Sequence, residues 1–212
     1  NKSMLTEVND VGENISGNKQ EELIEMVGNL SKTSSVMVVS GSLPQGVESD
    51  YYTKLFSVAA PGTLKIADTE WPRLLAALKA ELDLVKPNKD ELQNTLQQEL
   101  RSRDDLLKGC YALLDKGAKR VLVSLGKRGA IITDGTKNYY CKSINVAINS
   151  TVGAGDGMVA AASMMLEQGA PLDEILRAGV AAGTATVTTF GSISFTKEKY
   201  DEIYANLKLE EF

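Results

Sequence analysis

The sequence of 212 residues contains no histidine. That removes Ser-His-Asp triads, imidazole metal sites and histidine general bases together. Any acid–base chemistry must then use a carboxylate, lysine, tyrosine or cysteine. Cysteine is scarce, and Cys110 and Cys141 are isolated rather than in a CxxC pair. Disulfide frameworks are denser than this, so both are read as reduced thiols of a cytoplasmic protein. Long apolar runs are lacking. No stretch approaches the roughly 20 residues that span a bilayer, no signal peptide is visible, and no membrane partner is expected. An excess of basic residues is also missing, with 23 Lys and Arg against 28 Asp and Glu. A general nucleic-acid surface needs the opposite balance, so no nucleic-acid partner is expected, although a small local phosphate site remains open.

What is present is a chain of 43% hydrophobic residues, enough to bury a substantial core and to exclude disorder. Apolar periodicity predicts a helix over 21–30, with Leu23, Ile24, Val27 and Leu30 on one stripe. The run Val36-Met37-Val38-Val39 reads as a buried parallel strand. Helices are then predicted over 51–59, 70–79, 89–96 and 104–116, alternating with strands over 64–67, 82–86 and 121–125. Such alternation means a mostly parallel sheet with helices on both faces. Residues 130–133, 138–142 and 144–148 read as an antiparallel extension joined by tight turns, one of them Asp134-Gly135. The helix predicted over 154–168 is apolar nearly all round and is expected to be buried. The next, over 172–189, carries Ala178, Gly179, Ala181, Ala182 and Gly183, which permit close backbone approach. A last helix is predicted over 197–207, and an extended segment over 4–9. Trp71 reads as a partly packed loop aromatic, and of Tyr139 and Tyr140 one is expected to pack and the other to face solvent.

The chemistry concentrates in Ser150-Thr151-Val152-Gly153-Ala154-Gly155-Asp156-Gly157, between an extended segment and a long helix. Glycines at a helix start leave backbone N–H groups free to face an anion, and the helix dipole adds about half a positive charge there. Asp156, within the first turn, could take a proton from an attacking hydroxyl. A plain helix start, with Asp156 favouring the dipole, is the alternative. Lys86-Pro87-Asn88-Lys89-Asp90-Glu91 follows a predicted parallel strand, where open α/β sheets bind ligands. Asn88 and Glu91 are three apart, share one helical face, and could hold a water-ligated Mg²⁺; ordinary helix capping would explain them equally well. Ser124-Leu125-Gly126-Lys127-Arg128-Gly129 also follows a strand and could lie against nucleotide phosphates or ribose, or be a plain hairpin. Three such loops, each at a strand end, are jointly hard to ascribe to accident.

STVGAGDGMVAA resembles the second signature of the PfkB (ribokinase-like) family of carbohydrate kinases. VSGSLPQGV, DLVKPNKDEL and VLVSLGKRGA follow the order and spacing of its phosphofructokinase-like branch, which holds 1-phosphofructokinases, tagatose-6-phosphate kinases and minor 6-phosphofructokinases. The resemblance covers nearly the whole chain. It implies a three-layer ribokinase-like α/β fold and phosphorylation of a ketohexose phosphate by ATP with Mg²⁺, through direct in-line transfer. Fructose 1-phosphate is the first expected substrate, tagatose 6-phosphate the second; a non-catalytic nucleotide-binding module is the competing reading. By the same resemblance Asp156 would be the base, and the amides of Gly153, Ala154, Gly155 and Asp156 the anion hole. Asn88 and Glu91 would serve Mg²⁺ through water, with Lys86 and Asn88 toward the phosphates. Ser124, Leu125, Gly126, Lys127, Arg128 and Gly129 would line the nucleotide site, with Val180, Gly183 and Thr184 near the adenine. Ser40 would approach the phosphate of the sugar. A homodimer is expected for the full-length protein.

Two departures stand out. The family's N-terminal region, with its sugar-binding signature, has no counterpart here and is expected upstream of Asn1. Residues 1–16 are then read as the end of a lid, with Thr6-Glu7-Val8-Asn9 similar to its last strand, and 17–212 as the C-terminal part of the catalytic domain. Glu70-Trp71-Pro72 replaces the small residues usual after the Asp68-Thr69 step, a local loop variation.

Overall fold

A computed structural model describes residues 12–190 and 195–212; the extended segment predicted over 4–9 lies outside them. Helix α1 (Gly17–Ser31) leads to strand β1 (Val36–Ser40), α2 (Tyr51–Ser57), β2 (Leu64–Asp68), α3 (Arg73–Ala77), β3 (Leu84–Val85), α4 (Lys89–Leu96) and α5 (Arg103–Leu114). Strands β4 (Val121–Ser124), β5 (Ala130–Thr133) and β6 (Asn138–Lys142) follow, then α6 (Ala154–Glu167), α7 (Leu172–Thr186), α8 (Lys197–Asn206) and β7 (Lys208–Glu211). The strands form one sheet in the order β1 to β7. β1 to β4 run parallel, and β4 through β7 pair antiparallel. This is the three-layer α/β architecture expected, with a mixed sheet.

Alternation along the central strands decides which layer each side chain joins. Ile66, Leu84, Leu122 and Ile132 pack with Met158, Ile175, Leu176 and Ile203 from α6 to α8. Ala67, Val85, Val121 and Ile131 face the other way, toward Phe56, Leu74, Leu92 and Leu113. Strands buried on both faces need the continuous apolar runs that the sequence shows. Between α6 and α7 the small residues act as expected. A Cβ on Gly183 would stand 3.1 Å from the Ala154 carbonyl oxygen, and one on Gly157 would come within 2.6 Å of Thr186 Oγ1.

Several expectations are corrected. Residues 144–148 form no strand; β7 takes the place beside β6, with Tyr140 opposite Glu210 and Lys142 opposite Lys208. Lys-Leu-Glu-Glu has poor strand propensity, so its sequence hides an element that backbone pairing supports, while the charges suit an edge strand. The helix predicted over 70–79 begins at Arg73, after a cis Trp71–Pro72 peptide. Helix α6 is not buried all round, since Met164 is 63% exposed: Met158, Val159, Ala162 and Leu166 face the core and the opposite side is bare. On α1 only Ile24 and Val27 reach the core, and Leu23 and Leu30 are exposed. Tyr139 and Tyr140 point to opposite faces, but both pack, one in each layer; Tyr140 also carries Arg103 over its ring at 4.4 Å and donates a 2.7 Å hydrogen bond to the Arg128 carbonyl. Trp71 is about half exposed in its loop. Among the described residues, no helix is long and apolar enough to cross a membrane.

Candidate active site

The carboxyl ends of the four parallel strands carry, in spatial order, Ser40, Asp68, the Lys86–Asn88 segment and Ser124. Parallel pairing fixes this row. Ser40 lies opposite Asp68 in the β1–β2 register. Ala67 lies opposite Val85 in the next, so Asp68 and Lys86 come side by side. An isolated parallel bridge then joins Asn88 to Ser124, whose amide donates to the Pro87 carbonyl over 3.1 Å.

The first turn of α6 meets this row from above. Gly153 caps the helix with φ +79°, a left-handed conformation that a side chain would strain. The Gly157 amide returns to the Gly153 carbonyl over 2.8 Å, closing the turn. The amides of Gly155 and Asp156 have no acceptor among the described residues. They are two of the donors that every helix start leaves over, aimed where the dipole favours an anion. Asp156 is exposed beside them. Below, Lys86 Nζ sits 2.9 Å from Asp68 Oδ1, with both side chains largely buried.

Asn88 caps α4. Its Oδ1 accepts the Glu91 amide at 2.9 Å, and its own amide donates to Glu91 Oε2 at 2.7 Å. This is a reciprocal capping box, so ordinary helix capping does account for both residues. It occupies one carboxylate oxygen of Glu91. Burial raises the Glu91 carboxyl above its ordinary range, and the Asp68 and Glu70 charges add to that, against the Asn88 amide and Lys86. Asp68 is also raised, chiefly by burial and further by the Asp156 charge, against the pull of Lys86. Among the described residues no group of three or more acidic or thiol ligands gathers around one point.

Beside this row opens a cavity of about 320 Å³ between the Ser124–Gly129 turn, residues 143–148, the start of α6 and the last turns of α7. Ser124, Gly126, Lys127, Gly129, Ala154, Gly155, Val180, Gly183 and Thr184 all border it. The remaining expected residues fall elsewhere. Leu125 packs into the core and Arg128 is exposed. Lys86, Asn88 and Ser40 belong to the strand-end row, while Glu91 lies in the first turn of α4 and Asp156 in the first turn of α6. The wall opposite α7 is the surprise. Ile144, Val146 and Ile148 alternate as a strand would, and line the cavity instead.

The sequence pattern of the pfkB family carbohydrate kinases matches residues 2–199. The chain belongs to this family. Among pfkB relatives, it is 37% identical over 191 residues to the ATP-dependent 6-phosphofructokinase isozyme 2 of Escherichia coli, covering 89% of this chain and 60% of that protein. It is 33% identical over 183 residues to the 1-phosphofructokinase of Borreliella burgdorferi, covering 85% and 59%. A crystal structure of phosphofructokinase-2 from Escherichia coli in complex with potassium superposes with a TM-score of 0.84 at 37% identity, over 91% of this chain and 63% of that one. The chain thus spans about 60% of the length of these pfkB relatives.

Sequence reasoning missed Asp68, which entered only as the start of a variable loop. Its signal was available: it ends a parallel strand just as Ser40, Lys86 and Ser124 do. Residues 144–148 alternate with period two, a pattern that does not distinguish a partner strand from a cavity wall.

Proposed function

We propose that this pfkB chain carries the nucleotide-binding and catalytic part of an ATP-dependent ketohexose-phosphate kinase. The observation that carries the reading is the placement of Asp156. It stands beside two unpartnered helix-start amides, next to Ala154 and Gly155, which border the cavity, and Gly155 in turn lies over the Lys86–Asp68 pair. In this reading the cavity takes ATP, its apolar walls holding the base and the Ser124–Gly129 turn lying along the ribose and phosphates. The γ-phosphoryl group rests on the Gly155 and Asp156 amides. Asp156 accepts the proton of the sugar hydroxyl as that oxygen attacks phosphorus in line and the bond to the ADP oxygen breaks. Mg²⁺ would be held by the waters on Glu91 and Asn88 and would screen the phosphate charge. Ser40 sits where the sugar's own phosphate would be approached.

Fructose 1-phosphate is the first substrate of choice, giving fructose 1,6-bisphosphate, with tagatose 6-phosphate second. The names of the two relatives above support a fructose phosphate. A non-catalytic nucleotide-binding module is disfavoured, because binding alone requires no carboxylate at Asp156. A homodimer in the full-length protein completes the proposal. The test is ADP release from the complete gene product with fructose 1-phosphate, fructose 6-phosphate and tagatose 6-phosphate in parallel. Sugar-dependent turnover with at least one of them is expected, and its absence for all three would overturn the reading.

A further inference from the structure

The anion site at the start of α6 has a buried positive charge beneath it, and the geometry points to Asp68 as the residue that positions that charge. Lys86 is 4% exposed. An ideal Cβ on Gly155 would stand 3.4 Å from Lys86 Nζ and 3.9 Å from Asp68 Oδ2. The ammonium and its partner therefore lie against the backbone of the first helical turn, on the side where Gly155 has no side chain. An ammonium has three N–H bonds. Asp68 Oδ1 forms an ion pair with it at 2.9 Å, and no other side-chain partner of Nζ occurs among the described residues. The ammonium is thus held beside the backbone of Gly155, in the turn where the transferring phosphoryl group rests in the proposed reaction. This inference rests on that reading.

A lysine reaches this point on a flexible stem whose freedom must be removed for the charge to act. The β2–β3 register sets the carboxylate beside the stem, and the ion pair fixes the ammonium before any nucleotide arrives. Stability gives no reason for such a pair. Two buried charges are costly to desolvate, and neutral side chains of similar volume commonly do as well or better. Preorganised charge at an anion site is different, because it stabilises the transition state without reorganising. Asp68 thus acts through Lys86 and touches no substrate.

The test is a double-mutant cycle in the complete gene product: Asp68→Asn, Lys86→Met and the pair together. Each single variant strands a buried polar or charged group and should unfold at lower temperature. The double variant should recover thermal stability to near the parent, yet keep a kcat depressed about 10²-fold, the usual scale for losing one oxyanion donor. Asp68→Asn should lower kcat far more than it raises KM for ATP, and should cost nothing further in the Lys86→Met background. Recovery of kcat along with stability in the double variant would reduce the pair to a structural element. An equal loss from Asp68→Asn in both backgrounds would show that Asp68 acts independently of Lys86. Should the parent turn over no sugar phosphate, the kinase reading fails while calorimetric binding of ADP with Mg²⁺ and aluminium fluoride still tests the pair. Roughly tenfold weaker binding by Asp68→Asn is expected from one misplaced charge, and unchanged binding would overturn the proposal.

Discussion

Replacing Gly129 by alanine should damage the fold and the nucleotide cavity together. Gly129 closes the Ser124–Gly129 turn with φ +95° and ψ −137°, a region that residues other than glycine occupy at a cost of about 1–3 kcal/mol. The added Cβ would fall 1.9 Å from the Cys141 carbonyl oxygen and 2.7 Å from the Ser143 amide. Both contacts are backbone at the end of β6, so no side chain can swing clear and β5 or β6 must move. Overpacking of this kind costs roughly 1–3 kcal/mol more. Taken together the loss is about 4 kcal/mol, which for a domain of this size lowers Tm by roughly 8–16 °C. Gly126 is the control. It also has positive φ, +57°, but its Cβ would meet nothing within 4 Å. Alanine there should cost only about 1 kcal/mol of backbone strain, roughly 2–4 °C. Because the strain at Gly129 falls on Ser143, which borders the cavity, affinity for ADP should fall with it. Thermal unfolding and ADP titration of both variants decide the matter. A Gly129→Ala protein within about 3 °C of the parent, or one no worse than Gly126→Ala, would refute the reasoning.

Asp156→Asn should lower kcat by about 10²–10⁴ while leaving ATP affinity within a few-fold, since the amide keeps the shape and loses the base; near-normal turnover would remove Asp156 from its role. Glu91→Gln should raise the Mg²⁺ needed for half-maximal activity, because the capping acceptor is kept and the charge lost, and an unchanged Mg²⁺ titration would leave Glu91 as a capping residue alone. Burial pushes the Cys110 thiol up to about 12 and the Cys141 thiol up to about 11, from an ordinary 9.0. The folded protein therefore holds both protonated. Their contribution to stability is whole below about pH 9 and lost as pH rises toward about 11–12. Thiol labelling near pH 8 should then follow global unfolding, and rapid labelling of the folded protein would contradict the burial of both sulfurs.

Whatever depends on near neighbours along the chain was legible in the sequence. Apolar runs such as 121–123 marked the strands, and Gly153-Ala154-Gly155-Asp156 marked a helix start with free amides. Asn88 and Glu91 stood at capping-box spacing, and the small residues of α7 announced close packing. Each of these is set by local backbone chemistry and by side chains three or four residues apart. Tertiary structure decided the rest, because it turned on competition between distant segments for the same partners. Residues 144–148 and 208–211 could both have paired with β6. The charged C-terminal strand took the backbone hydrogen bonds, leaving Ile144, Val146 and Ile148 to wall the cavity. Leu23 and Met164 carry ordinary helical periodicity, and only the packing of whole layers leaves them exposed. Asp68 and Lys86 lie 18 residues apart, a separation with no local meaning; the parallel register of β2 and β3 makes them neighbours, and the missing side chain of Gly155 lets them reach the helix that holds Asp156.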